Sequence, residues 1–202
     1  MTPPRRKQRG QRAVRRTVLL VTNGRVTENA YLQQLCRRVD RDRVSIRVKV
    51  IEGDPLTVVK QLGGPQADLS EYREVWIVVD HDGQDRHAFL AKCRRLSSKR
   101  TVVHGIVSVP CFEVWLNAHY APVKNYQDQA DAQAHYRELT GLSSKEAKML
   151  PDDFPWDRGA QASARCHLPT ESLPEPDTQG PCPSTTMPHL LRSLGLLSAD
   201  ES

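Results

Sequence analysis

Four acidic residues, Glu28, Asp80, Asp82 and Glu113, each follow closely on a stretch that reads as a β-strand. Strands linked through helices run parallel, so their carboxyl ends emerge along one edge of the sheet and distant acids converge there. A cluster of hard oxygen ligands suits Mg²⁺ or Mn²⁺, which keep waters for substrate phosphates. Without a cation such carboxylates repel and raise each other's pKa, which a divalent ion relieves. In Asp80-His81-Asp82 alternate residues of an extended segment share a face, which directs both aspartates to one ion and His81 elsewhere. The same step also reads as an Asx turn with no metal, and Glu113 as a carboxylate at the positive end of a helix. His119 reads equally as a satisfied surface histidine. Cys111 has no evident base partner, which disfavours a cysteine nucleophile.

The elements that must position these residues follow from hydrophobic periodicity. Residues 17–21 form a continuous β-rich run of the kind covered on both faces. An Asn23-Gly24 turn leads to a helix capped by Thr27, with Glu28 in its first turn and Tyr31, Leu32, Leu35, Cys36 and Val39 on one apolar face. Residues 44–51 alternate as a second strand, and the next helix has Asp54 as N-cap, Pro55 in its first turn and Gly63 as its stop. A strand over 75–79, a helix over 85–96, a strand over 101–109 and a helix opening at Pro110 continue the alternation. This predicts an α/β fold, a parallel-stranded sheet flanked by helices with a C-terminal helical extension. A further helix is expected over 127–139. Eight of the fourteen prolines fall between Met149 and Leu190, which predicts irregular and partly disordered chain there. Leu190, Leu191, Leu194 and Leu197 recur at helical spacing in a last helix that docks on the core. The expected organisation is an arm over 1–16, an α/β domain over 17–148, an irregular segment over 149–186 and a terminal helix over 187–202.

Charge is unevenly distributed. Arg5, Arg6, Lys7, Arg9, Arg12, Arg15 and Arg16 precede any acid, and removing these seven from the 29 basic residues leaves 22 against 24 acidic ones. The net charge of +5 is therefore carried by the arm, which reads as a disordered tail or as a grip on phosphate backbones without sequence preference. No run approaches the roughly 18 apolar residues that span a bilayer, and no apolar signal region follows the basic start, so a soluble, cytoplasmic protein with no membrane partner is expected. The five cysteines contain no CxxC pair, which argues for reduced thiols rather than a disulfide framework or zinc cluster. A GxxxxGK[ST] phosphate loop is also missing, which argues against a P-loop NTPase.

The basic leader, "LLVTNGRVTENAYLQQL", "VWIVVDHDGQD", "SVPCFEVWLNAHY" and "PSTTMPHLLRSL", in this order, resemble the RloB family of bacterial proteins found beside defence genes. The resemblance implies a TOPRIM-like fold, in which an acid after the first strand and a DxD after a later one bind Mg²⁺ and promote phosphodiester cleavage or transfer. The DxD falls on Asp80 and Asp82. The first acid falls on Asn23, where this chain departs from the pattern, and only the Thr27-Glu28 pair of that turn is kept. An amide oxygen can ligate a hard cation but cannot carry a proton at neutral pH. The implied metal set is thus Asp80, Asp82, Glu28 and Asn23, with Glu28, Asp80, Asp82 and Glu113 as catalytic candidates and Mg²⁺ or Mn²⁺ as cofactor. Three outcomes stay open: a Mg²⁺-dependent nuclease of RNA or DNA with Glu28 recruited, a metal binder with weak catalysis, or a degenerate nucleic-acid-binding partner of other defence proteins.

Overall fold

The computed structural model describes residues 15–143, 146 and 149–198. The element order is β1 (Arg16–Thr22), α1 (Thr27–Cys36), β2 (Val44–Val50), α2 (Pro55–Leu62), β3 (Glu74–Asp80), α3 (His87–Leu96), β4 (Val102–Val109), α4 (Glu113–Tyr120) and α5 (Gln129–Thr140), then a 3-10 turn (Trp156–Arg158), α6 (Gly159–Arg165), β5 (Ser184–Thr185) and α7 (Met187–Ser193). The strands lie in the order β2-β1-β3-β4-β5. The first four are parallel, and β5 runs antiparallel to β4. This is the α/β, helix-flanked, mostly parallel architecture expected from the sequence, and it is consistent with a TOPRIM-like fold.

The apolar runs explain the layering. Every residue of β3 between its two ends is buried, as a central strand covered on both faces requires. Val18, Leu20, Trp76, Val78 and Ile106 face one way and pack with Tyr31 and Leu32 of α1 and Val114, Trp115 and Leu116 of α4. The alternate residues Leu19, Val21, Val75, Ile77, Val79 and Val107 face the other way, onto Val58, Val59 and Leu62 of α2 and Phe89, Leu90 and Cys93 of α3. Edge strand β2 instead alternates between covered and accessible residues.

Helix ends follow local chemistry, with two departures. The Asp54 carboxylate accepts from the Leu56 and Thr57 amides at 2.9 and 3.2 Å, Pro55 opens α2 and Gly63 closes it, as the sequence indicates. Helix α1 begins at Thr27 with Val26 as its cap, so Thr27 is not the capping residue. Helix α4 starts at Glu113 rather than at Pro110, because the Pro110 carbonyl is taken up by the Asp82 amide at 3.1 Å.

Beyond α5 the chain is more regular than its prolines suggest. Helix α6 occupies the proline-free interval between Pro155 and Pro169, with Ala162 and Ser163 buried. The stretch after it is pinned to β4 by Asp177, whose Oδ1 accepts the Gly105 amide at 2.8 Å and whose Oδ2 meets His104 Nδ1 at 2.9 Å. Helix α7 buries Leu190 and Leu191 and stops at Ser193, ahead of Gly195 in the left-handed region. Arg16 belongs to β1 rather than to an arm: its Nη1 lies 2.9 Å from Glu74 Oε1, and its Nη2 donates to the Ser193 carbonyl. Arg15 forms an exposed pair with Asp42 at 3.4 Å. The other arm residues, Arg5, Arg6, Lys7, Arg9 and Arg12, and the end of the expected terminal helix lie outside the described residues. Among the described residues no helix is long and apolar enough to cross a membrane.

Candidate metal centre and adjoining cleft

Strand order reverses at β1, whose neighbours are β2 on one side and β3 on the other. Such a reversal opens a crevice at the carboxyl ends of the strands, where ligands of open α/β sheets bind. Asp80 ends β3 in the alternation that sends Val78 to the α1 and α4 face. Helix α1 supplies Glu28 in its first turn, and α4 supplies Glu113 as its first residue.

Asp80 is the focus of this arrangement. Its Oδ1 is enclosed and has no hydrogen-bond partner, while the Phe112 backbone amide donates to the carboxylate. Burial first, then the charges of Glu28, Glu113 and Asp82, hold its pKa well above the usual carboxylate range. Glu113 is itself buried, at 5% exposure, and hydrogen-bonds the Cys111 thiol. Burial, helped by Glu113 and Asp80, raises that thiol's pKa so far that it stays protonated and is no nucleophile.

The turn after β1 places Glu28. Gly24 donates its amide to Thr22 Oγ1 at 2.9 Å, and a Cβ at Gly24 would overlap the Glu28 carboxylate. Asn23 turns its Nδ2 to the Gly53 carbonyl at 3.2 Å, which ties this turn to the one before α2.

Asp82 departs from the extended geometry expected of the DxD. Its φ of 49° bends the chain, its amide is held by Pro110 and the Gln84 amide returns to the His81 carbonyl at 2.9 Å. The Asp82 carboxylate is 43% exposed and lies 3.9 Å from Arg86 Nη2. Among the described residues no group of three or more His, Cys, Asp and Glu side chains is placed to hold a metal ion as they stand. The acids are neighbours in charge, with Asp80 at their centre, rather than a closed coordination shell.

Arg86 carries no sequence signal, yet it organises this loop. It is buried at 7% exposure; its Nε donates to the Asp80 carbonyl at 2.9 Å and its Nη1 to Gln84 Oε1 at 3.1 Å. Beside the loop lies a cleft of about 710 Å³ whose lining includes His81, Asp82, Pro110, Gln129, Gln133 and Cys182. His119 is not on the surface: it is 1% exposed, donates from Nδ1 to the Pro155 carbonyl at 3.1 Å and sits among Tyr31, Trp115 and Phe154. All five cysteines are free.

A family model described as RloB, RloB-like protein, matches residues 18–194. No curated protein and no solved structure matches. The matched span runs from β1 through α7 and contains Asn23, Glu28, Asp80, Asp82 and Glu113. The chain belongs to the RloB-like family.

Proposed function

We propose that this protein is a Mg²⁺- or Mn²⁺-dependent phosphodiesterase that cleaves RNA or DNA in the cytoplasm as part of anti-phage defence, alone or with other defence proteins. The observation that carries the reading is the enclosed, unpartnered Asp80 Oδ1, beside the charges of Glu28 and Glu113 at the reversal point of the sheet. Three carboxylates offer the hard oxygen donors a small divalent cation prefers, and neutralising them removes the repulsion focused on Asp80. Bound there, such an ion would stabilise charge on the scissile phosphate and acidify a water.

The chain's own groups divide the remaining work. Asp80 and Glu113 would hold the ion, with Asp82 reaching it by turning away from Arg86. Glu28, carried over Gly24, stands in for the acid that the resemblance places at Asn23, and its carboxylate can take a proton from the attacking water. Arg86 fixes the Asp80 backbone. The basic residues from Arg5 to Arg12 would attract phosphate backbones without sequence preference.

A second reading, a non-catalytic nucleic-acid-binding partner of a defence complex, is favoured by Asn23, whose amide is engaged by Gly53, and by the unclosed carboxylate set. Isothermal titration with Mn²⁺ and a cleavage assay on single- and double-stranded RNA and DNA separate the two. The nuclease reading expects stoichiometric Mn²⁺ binding, EDTA-sensitive cleavage, and loss of both in Asp80→Asn. Cleavage that is unchanged in Asp80→Asn overturns it. Nucleic-acid binding without cleavage in any metal supports the partner reading.

A further inference from the structure

The cleft beside the loop that follows β3 is built by the turn His81–Gly83, by Val109 and Pro110, and by the start of α5. Its chemistry is unlike that of a phosphate seat. No lysine or arginine lines it among the described residues, and two carboxylates, Asp82 and Asp128, do. Asp128 is committed to capping α5, where it accepts the Asp131 amide at 2.9 Å. A phosphate entering here would meet two carboxylates and no lysine or arginine in the wall, since Arg86 reaches Asp82 only from outside the lining.

A neutral, planar, hydrogen-bonding group fits better. Gln127, Gln129 and Gln133 line the cleft, and each side-chain amide offers two donors and one acceptor, complementary to the edges of a base. Among the described residues, no hydrogen bond engages these three side-chain amides. His81 accepts the Gly83 amide on Nδ1 at 3.2 Å, which leaves its Nε2–H as a further donor. Val109 and Pro110 give an apolar wall on which a ring can lie. The volume, about 710 Å³, falls in the range of small-molecule sites and accommodates a nucleoside. A base within a duplex has its faces stacked and its pairing edge occupied, so it must leave the stack to enter such a pocket.

We infer that this cleft receives an unpaired nucleobase, and that the protein takes single-stranded or flipped-out nucleotides, the adjoining phosphate lying toward Asp80. The direction of that phosphate rests on the phosphodiesterase reading. The base seat itself is testable without metal or turnover.

The full-length protein, labelled with ¹⁵N and kept in EDTA, is titrated with adenosine, guanosine, cytidine and uridine, and separately with ribose 5-phosphate. At least one nucleoside is expected to shift the side-chain amide signals of Gln129 and Gln133, and ribose 5-phosphate is not. Gln133→Ala, an exchange to a better helix former, should weaken nucleoside binding about fivefold, the loss of one hydrogen bond. Gln129→Ala gives a second variant should the first unfold. The inference is overturned if no nucleoside shifts these signals, if ribose 5-phosphate binds instead, or if both variants bind as the parent does. Nucleoside binding that depends on Gln133 in a protein without cleavage activity upholds the seat while removing the phosphodiesterase reading, so the two failures are distinguishable.

Discussion

A Cβ at position 24 would overlap the Glu28 carboxylate, so Gly24→Ala should force that carboxylate off its turn while leaving the backbone nearly unstrained. Gly24 has no positive φ, and an alanine there is conformationally acceptable. If Glu28 completes the metal centre, Mn²⁺ affinity measured by isothermal titration should fall by about tenfold or more, the usual cost of displacing a supporting group at a metal site. Chemical denaturation should change by less than about 1 kcal/mol, as expected of a substitution away from the core. Unchanged affinity would remove Glu28 from the site. The sequence reveals Glu28, Asp80 and Glu113 through their positions just past strands, because the carboxyl edge of a parallel sheet is a topological consequence. It does not reveal the direction of Asp82, which is set by a left-handed turn held through the Pro110 carbonyl. Nor does it reveal Arg86: an arginine in a polar loop reads as solvated, and its burial depends on partners such as Gln179, whose Oε1 accepts the Arg86 amide at 2.8 Å.

The strand and helix alternation from β1 to α4 is legible because long apolar runs and caps agree with one another. The region after α5 is not, because its order comes from distant contacts rather than local propensity. Strand β5 is only two residues long and exists because Ser108 and Val109 of β4 pair with Thr185 and Ser184. Ahead of it, Asp177 occupies the exposed edge of β4 by accepting the Gly105 amide; an edge left open invites pairing with other chains. Asp177 adopts a φ of 59°, a conformation that Asp and Asn tolerate better than most residues. Asp177→Ala therefore loses both the acceptor and the backbone preference, and should destabilise the fold by about 1–3 kcal/mol in urea. Asp177→Asn keeps an acceptor and should recover most of that loss. Hydrogen exchange at the Gly105 amide should quicken in the alanine variant, and an unaltered rate would show that the strap does not protect this edge.

Besides the strand pairing and the Asp177 contacts, an aromatic layer joins the segment beyond α5 to α1 and α4, and that layer contains a histidine. The His119 ring lies 4.9 Å from Trp115 of α4, 6.3 Å from Tyr31 of α1 and 4.7 Å from Phe154 in the segment beyond α5. Burial pushes its pKa down to about 4, against the smaller opposing effects of the Pro155 carbonyl and Asp157. In the unfolded chain the ring titrates near 6.5. The unfolded state thus takes up the proton first, and stability falls as pH drops from about 6.5 toward 4, by about 2–3 kcal/mol at pH 4.5 for this group. Asp80 acts in the opposite sense: its folded pKa is raised, so the folded state binds the proton more tightly and gains stability as pH falls through that value. The two contributions separate by substitution. His119→Asn keeps a donor for the Pro155 carbonyl but cannot titrate, and it should be less stable at pH 7.5 from the lost ring packing. Between pH 7.5 and 4.5 it should lose about 2–3 kcal/mol less than the parent protein. Asp80→Asn, which removes the opposing group, should decline more steeply than the parent over the same interval. Denaturant titrations of the three proteins at both pH values measure these differences, and parallel declines would show that neither buried group is linked to folding.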